Sequence, residues 1–144
     1  MQTLPLRLLP GQDLRRALEA AVAERGCHAA FVLSGIGSLA PACVRFAGAP
    51  ETQTLSGSTE ILTLSGSIAV NGSHLHIGLA QANGAVMGGH AAYGCIVHTT
   101  AEVLLALLPG WHFAREPDAA TGYEELVIRA DDDESPSKLI GSSL

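Results

Sequence analysis

Residues 60–80, EILTLSGSIAVNGSHLHIGLA, decide how this chain folds. Asn71-Gly72 at their centre is the dipeptide that best tolerates the positive φ angles of a tight type I′ turn. Apolar residues alternate on both sides, so the stretch reads as a β-hairpin with strands over residues 61–70 and 73–80. Alternation then sorts the second strand into two faces. Leu75, Ile77 and Leu79 point one way, while His74, His76 and Gly78 point the other. The apolar set must face the core. Two imidazoles therefore sit together on the second face, beside a glycine that keeps it open.

Outward from the hairpin, Ala82-Asn83-Gly84 reads as a second turn leading into AVMGGH, and YGCIVHTT resumes strand character. The segment AEVLLALLPG combines helix-favouring residues with a β-rich context and is read as strand over 96–105, before Pro109-Gly110. A final strand is expected in TGYEELVIRA. Upstream, residues 4–9 form a short strand ended by Pro10-Gly11. Leu14, Ala17, Leu18, Ala21 and Val22 recur at helical spacing, which predicts a helix over 13–25, started by Gln12 or Asp13 and stopped by Gly26. HAAFVLSGIGSLAPACVRFAG reads as two strands joined through Gly35-Ile36-Gly37-Ser38, and residues 47–58 as a polar loop or ragged edge strand. The sum is an α+β domain over 1–130, a mostly antiparallel sheet of roughly six to eight strands with one or two packed helices. The acidic, then Ser- and Pro-containing segment 131–144 is expected to be a disordered tail.

Composition narrows the partners. Hydrophobic residues make up 47% of the 144 and charged residues only 15%, with a positive mean hydropathy. So few charges predict that apolar surface is covered by other subunits. Gly, Ser, Asn and His interrupt every apolar run before it could span a bilayer, so no membrane partner is expected. The opening MQTLPLRLLPG lacks the pattern of a secretory leader, which points to a cytoplasmic protein. Cys27, Cys43 and Cys95 are too widely spaced for a zinc knuckle and read as reduced thiols. Eight basic residues stand against fourteen acidic ones, a net charge of −6 without a basic cluster. Nucleic acid is disfavoured on that charge, because phosphate neutralisation supplies most of such affinity.

The histidines leave two readings open. A His-x-His pair on a strand can be a plain solvated face. Alternatively, side chains about 7 Å apart at Cβ can converge on one ion, with His90 brought in on a flexible Gly88-Gly89 approach. Neutral imidazoles favour zinc, or nickel, copper or iron, over magnesium and calcium. Three protein ligands with an open position is the pattern of catalytic zinc sites. Glu60 and Glu102 are the carboxylates placed to serve as an outer-sphere acceptor or an acid/base, or else are ordinary surface acids. His28, His98 and His112 have no partner at ligand spacing. The chain carries no Gly-x-Ser-x-Gly, P-loop or dinucleotide fingerprint. Cys95 reads as a buried strand cysteine rather than a nucleophile paired with His98.

Taken together, EILTLSGSI, HLHIGLA, GAVMGGH, TTAEV and TGYEELVI give a chain that resembles the PPC domain shared by plants and prokaryotes, from Leu6 to Arg129. The resemblance implies an α+β fold assembled as a homotrimer, and a zinc site at His74, His76 and His90. In plants the domain accompanies AT-hook motifs, and the DNA-binding role of those relatives derives from the hook. No Arg-Gly-Arg core of a hook occurs here. The leading expectation is a metal-binding trimer with a ligand-binding or assembly role. A metal-dependent hydrolase or lyase using Glu60 or Glu102, and a DNA-binding regulatory protein, are the alternatives.

Overall fold

The computed structural model describes residues 1–131, and the remainder of the expected tail lies outside the described residues. In chain order the elements are β1 (Gln2–Leu8), α1 (Leu14–Ala23), β2 (Ala29–Leu39), β3 (Ala42–Arg45), β4 (Gln53–Leu55), β5 (Thr59–Ala69), β6 (Gly72–Gln81), β7 (Val86–Ala91), β8 (Val97–Leu107), β9 (Trp111–Pro117) and β10 (Glu124–Ala130). An antiparallel eight-stranded sheet runs β1-β8-β2-β5-β6-β7-β3-β4, and β9 and β10 pair as a separate hairpin. This is the expected mostly antiparallel α+β architecture, with a single α-helix among the described residues. Among the described residues no helix is long and apolar enough to cross a membrane.

The β5–β6 hairpin forms as its sequence dictates, with one adjustment. Ala69 pairs with Gly72, so the two loop residues are Val70 and Asn71, one position earlier than the Asn-Gly dipeptide alone implies. Docking of β9 explains the shift. The Val70 amide donates to the Phe113 carbonyl. The Asn71 side chain pairs with the Arg115 main chain in both directions, each bond 2.8 Å. Gly72 absorbs the geometry at φ 144°.

The expected alternation is observed along β6. Ser73, Leu75, Ile77 and Leu79 are buried, and His76 on the opposite face is exposed. Leu64, Ile68, Val32, Val103 and Leu105 from neighbouring strands join them in one core. The helix covers that face. Asp13 caps it by accepting from the Arg16 amide at 3.0 Å, and its stripe of Leu14, Leu18 and Val22 is fully or almost fully buried. Each such side chain contributes about 1.5–3 kcal/mol, so the helix is held by packing more than by its ten-residue length.

Two readings of glycine are corrected. Gly35-Ile36-Gly37-Ser38 is not a turn: β2 runs unbroken through it, and the chain bends at Ala40-Pro41. A Cβ on Gly37 would fall against the Thr100 carbonyl and within 2.6 Å of the Ala101 Cα, so glycine is there to let β8 come close. Likewise Gly88 and Gly89 are extended residues within β7. Their missing side chains admit the Ile77 and Arg45 carbonyls, each 2.6 Å from where a Cβ would stand. They bring strands together; they do not loosen an approach.

The sheet face opposite the core carries Ile36, Leu62 and Leu104, which are 55%, 49% and 36% exposed. One end of it is covered by the β9–β10 hairpin, whose Phe113 packs on Ala29 and Ala69 and meets Phe31 edge-on at 5.5 Å. The β9 strand was not anticipated; WHFAREP alternates too weakly to declare itself without its partner.

Candidate metal centre

Cross-strand register assembles the site. Arg45 on β3 lies opposite His90 on β7, His90 opposite His76 on β6, and His76 opposite Ser65 on β5. These four residues form one row across the exposed face, and His74 stands two positions along β6 from the row. Opposed residues have Cβ atoms about 4.5–5.5 Å apart, which brings the imidazoles together without any loop. Ring centroids are 4.9 Å apart for His74 and His76, 5.0 Å for His74 and His90, and 5.0 Å for His76 and His90. One ring nitrogen from each lies within 4.8 Å of the other two.

Two imidazoles are braced from outside. His90 Nδ1 is 3.2 Å from the Arg45 carbonyl oxygen. A carbonyl only accepts, so Nδ1 is the donor and Nε2 is the nitrogen left for a metal, the arrangement usual in metal-bound histidine. His74 is half-buried under β9. Burial lowers its pKa from the ordinary value, and Arg115, His76 and His90 lower it further, outweighing the opposing influence of Glu125. A neutral imidazole is the ligating form. His74 Nε2 is buried without any hydrogen-bond partner, which costs about 1–3 kcal/mol in a folded protein unless something occupies it. An orphaned imidazole nitrogen within a cluster of three imidazoles fits a transition-metal ion.

Arg115 was invisible to sequence reasoning because it sits on the unanticipated β9. Its Nη2 donates to Ser67 Oγ at 2.6 Å, and its Nη1 stands 3.5 Å from His74 Nδ1, too long to fix the tautomer. Desolvation lowers its pKa, with Glu125 opposing. Arg115, Arg45 and Arg15 line a cleft of about 1020 Å³ together with His74, His90 and Glu125.

Glu60 and Glu102 are exposed and do not join the three histidines. Glu60 pairs with Ala80, four residues or about 13 Å along β6 from His76. Glu102, on β8, pairs with Arg7 of β1 and Ile36 of β2, three strand spacings or roughly 14 Å from β6. Glu125 is the acid that acts on His74. A second group of possible ligands, His28, His112 and Asp131, gathers elsewhere on the surface, with the two rings 5.2 Å apart edge-on. His28 and His112 lie 84 positions apart on separate strand ends, which no spacing rule detects. Cys95 is fully buried, and desolvation pushes its thiol up to about 11, the state of an inert core cysteine.

An antiparallel sheet backed by one helix, with imidazoles gathered on its open face, defines a class of small β-rich domains bearing a surface ligand cluster. The family model of the Plants and Prokaryotes Conserved (PCC) domain matches residues 1–109, and the chain belongs to that family. It is 46% identical over 128 residues to the bifunctional protein GlmU of Synechococcus sp. (strain JA-3-3Ab), matching 89% of this chain and 21% of the relative. The chain thus spans about a fifth of the length of the curated relatives it matches. Among solved structures it is similar to a hypothetical protein from Salmonella cholerae-suis, with TM-score 0.86, 38% identity, and coverage of 90% of this chain and 94% of that one. It is also similar to a metal-containing protein from Archaeoglobus fulgidus, with TM-score 0.77, 30% identity, and coverage of 88% and 94%.

Proposed function

We propose that the protein is a metal-binding PCC-domain protein whose His74, His76 and His90 hold a zinc-like transition ion, with a ligand-binding or assembly role. The observation that carries this reading is the convergence of three ring nitrogens within 4.8 Å, on imidazoles of which His74 holds a buried, unpartnered Nε2. Three neutral nitrogen donors suit zinc, and also nickel, copper or iron. The similar metal-containing protein from Archaeoglobus fulgidus supports the same direction. A bound zinc supplies a Lewis-acid centre able to take a further ligand from the cleft. The chain's own residues present the ring nitrogens, shield His74 from water through β9, and fix the His90 tautomer. In this reading the assembly is a homotrimer and the compartment the cytoplasm. The exposed Ile36, Leu62 and Leu104 supply apolar surface for subunit contact, and the three free thiols suit a reducing environment.

Elemental analysis of the purified chain, beside His76→Ala and His28→Ala variants, tests this. The expected result is one equivalent of transition metal in the wild type, lost in His76→Ala and kept in His28→Ala. Equal metal in the wild type and His76→Ala would overturn the site.

A further inference from the structure

We propose that the cleft beside the three histidines binds a small oxyanion, a carboxylate or phosphate group held jointly by Arg45, Arg115 and the ion on the histidines. This names the ligand class for the metal site proposed above and rests on that reading.

Three of the chain's eight Lys and Arg residues line this one cleft, in a molecule of net charge −6. They are not equivalent. Arg15 is already committed. It pairs with Glu19 at 3.1 Å, donates to the Ser73 carbonyl at 2.6 Å, and lies over the Tyr93 ring at 4.2 Å. Arg45 and Arg115 are not. Among the described residues neither has a carboxylate oxygen within 4.0 Å, since the ion pairs are Arg15–Glu19 and Arg129–Glu116. Arg45 reaches only the Ala49 carbonyl, at 3.5 Å. Arg115 spends Nη2 on Ser67, while its buried Nε has no partner at all. Glu124 and Glu125 also line the cleft. Glu124 is exposed, and Glu125 acts on Arg115 through space without closing an ion pair.

Charge makes the case stronger once an ion is present. Neutral imidazoles contribute nothing to balance a divalent cation. An ion there adds two positive charges beside two guanidinium groups that have no carboxylate partner among the described residues and keep donors unspent. Like charges gathered in a half-buried cleft repel, and an anion placed between them relieves all three at once. Register supplies the geometry, since Arg45 stands next to His90 in the row that runs to His76. Guanidinium groups match carboxylate and phosphate oxygens with paired donors. The cleft, about 1020 Å³, is ample for a small organic acid or phosphate ester. A long polyanion instead meets the repulsion of a chain at −6.

The test titrates inorganic phosphate and succinate calorimetrically into the zinc-loaded full chain at low ionic strength, in wild type and Arg45→Gln. Arg45 holds His90 through its main-chain carbonyl, so the substitution leaves the imidazole bracing in place. Circular dichroism and zinc content are measured on the variant as the control for this. Binding of at least one anion, weakened by about tenfold or more in Arg45→Gln at equal zinc content, is expected. The preferred anion distinguishes a phosphate from a carboxylate ligand. No binding to wild-type protein carrying stoichiometric zinc, or equal affinity in Arg45→Gln, overturns the proposal. A wild-type chain that takes up no zinc overturns the metal reading instead. In that event Arg45-dependent binding to the metal-free chain would uphold the arginine contribution, and its absence would end the proposal as well.

Discussion

Asn71 shows how much one side chain can link. Its amide faces the Arg115 main chain with both a donor and an acceptor, replacing a rung of β-ladder at the tip of the hairpin. That clasp sets the height of Arg115 above His74 and Ser67. Asn71→Ala removes two hydrogen bonds, and a loss of about 1–3 kcal/mol is expected in urea denaturation of the metal-free chain. Asn71→Asp keeps the acceptor and should recover part of it. Asn71 was legible as a turn residue, but its clasp was not, because the partner is 44 residues away on an unforeseen strand. Cys95 carries a pH prediction of its own. Its thiol is raised from 9.0 to about 11, so between those values the unfolded chain gives up a proton that the folded chain keeps. The associated stability is complete below the unfolded value and is lost as pH rises through the folded one. The thermal midpoint of wild type should fall over that window more steeply than that of Cys95→Ala.

Among the elements, hydrophobic periodicity located β6 and α1 because each buries a single apolar face against the core, whereas β8 is read as strand from its β-rich context and ends with Leu105, Ala106 and Leu107 all buried. It failed at β2 and β7, where glycine obeys close contact between strands rather than the punctuation of turns. Gly89 is the sharpest case. A methyl group there would press on the Arg45 carbonyl, 2.6 Å away, the atom that receives the His90 proton. Gly89→Ala should therefore lower both metal content and stability, the latter by about 1–3 kcal/mol. Gly84→Ala, which meets nothing within 4 Å in its loop, should leave metal content unchanged despite its positive φ. Equal metal loss in the two variants would separate the site from the packing of β7. The core half of each strand was readable locally; the contacts between strands were not, since they depend on which strands become neighbours.

For the whole molecule, part of the apolar surplus stands on the open sheet face, at Ile36, Leu62 and Leu104. If that face is the subunit contact, Ile36→Lys together with Leu104→Lys should convert the assembly to monomers in light scattering while the circular dichroism spectrum persists. An unchanged mass would place the contact elsewhere. The β-rich α+β class and the His74/His76 pair were legible because both follow from alternation within single strands, while His90 joins them by cross-strand register and not by the flexible Gly88-Gly89 approach expected. The cleft was not. Its arginines come from α1, β3 and β9, and only the folded topology brings them to one wall.

All three imidazoles belong to one hairpin, with His74 and His76 before its loop and His90 after it. The ladder joins Ala80 to Val86 at the far end and His76 to His90 nearer the sheet centre. The connection over residues 82–85 can thus vary in length without disturbing the site, whereas one residue inserted between Val86 and His90 would turn that imidazole toward the core. That loop is a natural place to splice in a tag or a reporter. The strands on either side of it behave as a ruler whose graduations cannot be shifted.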